Sequence, residues 1–87
     1  MREWPSWWSW ELELSPHLLK RMVDRQFSEV DLRRMLEHAP LLREDVEEGR
    51  WLVEAWHDKE PWEVIVEPDF DAKVIVVVTA YPWSEDL

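Results

Sequence analysis

Apolar residues recur along this chain with two periods, and the change from one to the other divides it. Leu18, Leu19, Met22 and Val23 follow i, i+1, i+4, i+5, which is one face of a helix running from Pro16 to about Gln26. Ser15 before Pro16 suits the N-cap and first helical position. Ser28 with Asp31 three residues on resembles a capping box. Leu32, Met35, Leu36 and Ala39 then follow i, i+3, i+4, i+7, and Pro40 closes that second helix. Elsewhere the period is two. Glu11 to Leu14 alternates, as do Trp51 to Trp56 and Trp62 to Glu67, with Trp62, Val64 and Val66 opposite Glu63, Ile65 and Glu67. Lys73 to Tyr81 is apolar on both faces except at its end, the mark of a central strand, and Pro82 stops it.

The predicted order is β-α-α-β-β-β, an α+β domain. Turns at Asp58 to Pro61 and Pro68 to Ala72 join consecutive strands, which favours an antiparallel meander. The two helices cover one face of a four-stranded antiparallel sheet. Residues 41–50 read as an acidic connection holding the one glycine, Gly49. Residues 1–10 form a Trp-rich N-terminal extension and residues 11–87 the single domain, since 87 residues leave no room for two.

Composition narrows the function classes. There are no cysteines, hence no disulfide, zinc-thiolate site or thiol nucleophile. Ten basic against 20 acidic residues, net −10, argues against coating DNA. No run of 18 apolar residues exists to span a membrane, and the N-terminus lacks a secretory pattern, so the expected location is the cytoplasm. Charge is uneven. Residues 20–34 hold Lys20, Arg21, Arg25, Arg33 and Arg34, whereas residues 41–72 hold three basic and eleven acidic groups. An anion site therefore belongs to the helical half, and the acidic half is either solvated surface or a face for a basic partner.

Few residues suggest chemistry. His17, Arg21 and Arg25 at i, i+4, i+8 make one polar stripe on the first helix. The stripe reads either as an anion site, with guanidiniums for phosphate and an imidazole to move a proton, or as an ordinary exposed helix edge. Thr79 and Tyr81 lie two apart at the end of the last strand and share a face. Their hydroxyls either donate to a phosphate or belong to residues that simply suit a strand. His38 reads as a helix-end cation and His57 as an exposed turn residue. Glu67, Asp69 and Asp71 lack the glycine and the ligand number of a cation loop and read as a solvated hairpin. No metal or cofactor is implied. Trp4, Trp7, Trp8 and Trp10 could stack nucleobases, but only Arg2 lies near them. A tail folded over the sheet, or a homodimer contact, suits them better.

Taken together, PHLLKRMVDRQFSEVDLRRMLEHA, RWLVEAW, WEVIVEPD and VIVVVTAYP resemble a family of small bacterial domains of unknown function over about residues 14–82. That family is placed with the barnase–EndoU–colicin–RelE superfamily of metal-independent ribonucleases and toxins. The resemblance implies a RelE-like layout with a cleft lined by the helix stripe and strand ends. It also implies a toxin-like endoribonuclease, full or attenuated, with RNA as substrate and an antitoxin as partner. His17 would deprotonate the ribose 2′-hydroxyl, Arg21 and Arg25 would hold the phosphate, and Thr79 and Tyr81 would position it or assist the leaving oxygen. This requires convergence. By strict alternation Thr79 shares its side with Ile75 and Val77, and the resemblance puts the first helix on that side. The alternative function is a non-catalytic interaction module, in which the acidic 41–72 half or the Trp-rich start engages a basic partner or a second copy.

Overall fold

A computed structural model describes residues 4–86, so residues 1–3 of the Trp-rich extension, Arg2 among them, and Leu87 lie outside the described residues. After a 3-10 turn at Ser6–Ser9 come β1 (Glu11–Leu14), α1 (Pro16–Arg25), α2 (Glu29–Glu37), β2 (Leu41–Glu44), β3 (Trp51–His57), β4 (Glu60–Asp69) and β5 (Val74–Pro82). A second 3-10 turn, Trp83–Asp86, follows.

Side chains set the helix boundaries. The Leu18 amide donates to Ser15 Oγ at 3.0 Å, and Pro16 occupies the first turn. α1 stops because Gln26 turns left-handed at φ 56°, while the Phe27 amide donates back to the Met22 carbonyl at 3.1 Å. Phe27 is thereby tucked into the core. α2 starts at once with a reciprocal box: the Asp31 amide donates to Ser28 Oγ at 3.1 Å, and the Ser28 amide donates to Asp31 Oδ2 at 2.9 Å. Leu32, Met35 and Leu36 bury the inner face of α2.

The sheet differs from the predicted one in two ways. It has five strands in the order β1-β5-β4-β3-β2, and β1 runs parallel to β5. The added strand, β2, comes from the stretch read as an acidic connection. Its Leu42 lies opposite Val53 on the inner side and docks this short edge strand, while Leu41 lies opposite Glu54. The parallel contact arises because the meander β2-β3-β4-β5 ends with β5 beside β1. The register Glu11↔Val74 through Leu14↔Val77 puts Leu12 and Leu14 inside and Glu11 and Glu13 outside.

One irregularity decides the faces. Val66 pairs with Val77, but Ile65 pairs with Thr79, so Val78 is an extra residue on β5. Before this bulge Ile75 and Val77 face the helices, and after it Ala80 does. The expectation that Thr79 lies on the side of Ile75 and Val77 is therefore corrected. Thr79 and Tyr81 pair with Ile65 and Glu63 and stand on the face that the helices leave open. Strict alternation cannot anticipate a bulge, because a run of valines carries no polar residue to show where the phase slips.

The described part of the Trp-rich start folds onto the helix side of the sheet. Trp7 is only 4% exposed and meets Trp51 edge to face at 5.4 Å. Trp4 stacks on Trp8 at 4.8 Å, and Trp10 meets Phe70 at 5.4 Å. Trp7 thus spends its surface inside the chain, while Trp4, Trp8 and Trp10 stay half-buried.

Candidate functional site

The α1 stripe begins where the helix is tied to the bulged strand. The Ser15 amide donates to the Val77 carbonyl at 3.2 Å, and Ser15 Oγ donates to the Val78 carbonyl at 2.8 Å. Two residues later His17 is exposed in the first turn. Arg21 is half-buried one turn on, and Arg25 is exposed at the helix end. Leu18, fully buried, anchors this helix against the core. The stripe therefore runs from the middle of β5 along the helical layer.

Thr79 and Tyr81 belong to different surroundings. Tyr81 donates its phenol to Glu63 Oε2 at 2.6 Å, a short charge-assisted bond between register partners. Thr79 Oγ1 is buried and has no hydrogen-bond partner among the described residues. The structure thus brings Thr79 and Tyr81 together with β4 carboxylate chemistry. It places His17, Arg21 and Arg25 on the helical layer of the other face.

That open face is unlike the inner one. At its centre, Leu52, Ile65 and Thr79 lie across β3, β4 and β5 in one row of the register. Val74 and Val76 continue the apolar surface towards β1. Ile65 is only 8% exposed although it stands outside the core cluster beneath the helices. Around this patch stand Glu54 and Glu63, directly opposite each other, then Glu67, Glu11 and Glu13. Arg43, paired with Leu52, contributes a guanidinium at the β2 edge. Like charges opposite each other across strands repel, and these carboxylates give the face a negative rim.

A second cluster lies at the far end of β3. His57, read as an exposed turn residue, is in fact 17% exposed at its side chain. It stands edge-on to Trp62 at 5.4 Å and tilted against Phe27 at 6.3 Å. With Asp31, Arg34, His38 and Asp58 it lines a shallow recess. His38 is the C-cap residue of α2, its amide donating to the Arg34 carbonyl at 3.1 Å. These residues come from two separated segments, α2 with its cap and the end of β3, so no spacing in the chain announces the recess. Among the described residues no group of His, Cys, Asp or Glu is arranged to hold a metal ion. The Asp69 carboxylate is likewise occupied locally, accepting from the Asp71 and Ala72 amides at 3.1 Å each. No described helix is long and apolar enough to cross a membrane.

Two helices on one face of a mixed five-stranded sheet, with the other face open, define a small α+β domain. The family model described as Domain of unknown function (DUF4258) matches residues 14–82, and the chain belongs to that family. No curated protein and no solved structure matches the chain.

Proposed function

We propose that the domain is a protein-interaction module that receives a basic partner on its open sheet face. The observation carrying this reading is the β5 bulge, which turns Thr79 and Tyr81 away from α1 and onto a face of apolar residues ringed by glutamates. An apolar centre supplies contact area, and a carboxylate rim supplies steering and register. An antitoxin with a Lys- or Arg-rich segment has the required chemistry. The test uses a labelled extended peptide alternating Val with Lys, followed by fluorescence anisotropy. Binding should weaken steeply between low and moderate salt and be abolished by Glu54→Lys with Glu67→Lys. Equal binding of an acidic counterpart peptide, or no effect of the double variant, would overturn the reading.

One observation favours a second reading, the metal-independent endoribonuclease of the barnase–EndoU–colicin–RelE type. The two bonds from Ser15 fasten the His17 turn to β5 at Val77 and Val78, immediately before Thr79. A substrate would then lie across the strand edge, with His17 as base, Arg21 and Arg25 on the phosphate, and Thr79 and Tyr81 reaching from the other side. Pure protein with total RNA and EDTA should then cleave, and His17→Ala should not. Intact RNA in both, with and without ribosomes, sinks this reading and leaves the first untouched.

A further inference from the structure

The Trp-rich start does more than fill the core: it walls a cleft. Between it and α2 lies a cavity of about 320 Å³ whose sides are Trp8 and Trp10. Its floor is aliphatic, made by Leu12, Val66 and Ile75, with Leu36 from α2. Two charges stand at its rim, Arg33 and Glu37, one helical turn apart. That spacing ordinarily pairs a guanidinium with a carboxylate. Here no ion pair joins them. Arg33 instead pairs its Nε with Glu29 at 3.6 Å, and its side chain is 53% exposed. The rim therefore offers one donor fork and one acceptor, separated, above an apolar hole.

We propose that this cleft binds a free apolar α-amino acid. The side chain would enter between the two indoles onto the aliphatic floor. The carboxylate would take the Arg33 fork and the ammonium the Glu37 carboxylate. Three features select this class. The volume is at the small end of ligand sites, right for one amino acid and cramped for a dinucleotide or a lipid chain. A protein of net charge −10 repels a plain carboxylate ligand, whereas a zwitterion carries no net charge into that field. The two opposite charges, held apart, match a ligand bearing both, and a guanidinium binds carboxylate with directional bonds.

The experiment is calorimetric titration of the full chain with L-leucine and L-phenylalanine, alongside N-acetyl-L-phenylalanine and L-phenylalanine amide. Saturable binding of the free amino acids is expected, with each capped analogue at least about tenfold weaker because a charged rim group loses its partner. Arg33→Ala should bind phenylalanine and its amide equally, and Glu37→Gln should cease to discriminate against the N-acetyl form. Both positions are exposed, so the variants fold. A chain that shows no saturable binding up to ~10 mM ligand, or that binds the capped analogues as tightly as the free ones, overturns the proposal.

Discussion

Thr79 carries a buried hydroxyl with no partner among the described residues, in a row of the register otherwise formed by Leu52 and Ile65. An unpaired buried hydroxyl is a standing cost, so Thr79→Val is expected to raise stability by about 1 kcal/mol, read as a shift in urea midpoint. Asp31 is the opposite case. The Ser28 amide, and after it the Ser28 hydroxyl, hold the Asp31 carboxyl below its ordinary value of 3.8. The folded state therefore binds this proton less readily than the unfolded state. Its contribution is complete above the ordinary value and fades as pH falls through the lowered one. Asp31→Asn should thus be less stable than the natural chain at neutral pH, and the gap should narrow as pH falls below the ordinary value of 3.8 and through the lowered one, in parallel denaturation curves. At this scale the caps at Ser15 and Ser28 were legible, because capping needs only neighbours in sequence. His57 was not, because Phe27 and Trp62, which enclose it, lie far away along the chain.

At the scale of elements, Ser15 does two jobs: it caps α1 at Leu18 and ties the helix start to β5 at Val78. Ser15→Ala removes both and is expected to cost about 1–2 kcal/mol in chemical denaturation. Ser15→Asp, which restores the cap but cannot donate to the carbonyl, should recover only part of that. Both helices, β3 and β4 were readable from period, and β5 from an unbroken apolar run. Three features were not. β2 is only four residues long and its two leucines are adjacent, so no alternation marks it. The direction of β1 depends on which strand the meander leaves at its side. The bulge is hidden in five consecutive residues, Val74 to Val78, that suit either face equally. The last of these matters most for the candidate site. The residue types proposed for it were visible, but their sides of the sheet were settled by a feature with no local signal.

The whole molecule holds together against its own charge. With net −10 on a domain whose Cα radius of gyration is 12.3 Å, carboxylates lie within a screening length of one another at low salt. The crowding is greatest on the open face, where Glu54 faces Glu63. Added sodium chloride should therefore raise the melting temperature between about 20 and 300 mM, as screening relieves that repulsion. Glu54→Gln should raise the melting temperature at low salt and flatten the salt dependence. A melting temperature that falls with salt would mean that attractive pairs such as Arg50 with Glu47, at 2.6 Å, outweigh the repulsion. The open face is amphipathic, with Ile65 only 8% exposed at its centre and the opposed Glu54 and Glu63 at its rim.

The extra residue at Val78 also has a genetic meaning. Removing one codon there would restore strict alternation and leave every residue from Thr79 to Pro82 on the face it now holds. Thr79 would still oppose Ile65, Ala80 would still fill its buried place opposite Val64, and Tyr81 would still oppose Glu63. A β5 one residue shorter would thus keep the same two surfaces, the packed side with Ala80 and the outward side with Thr79 and Tyr81.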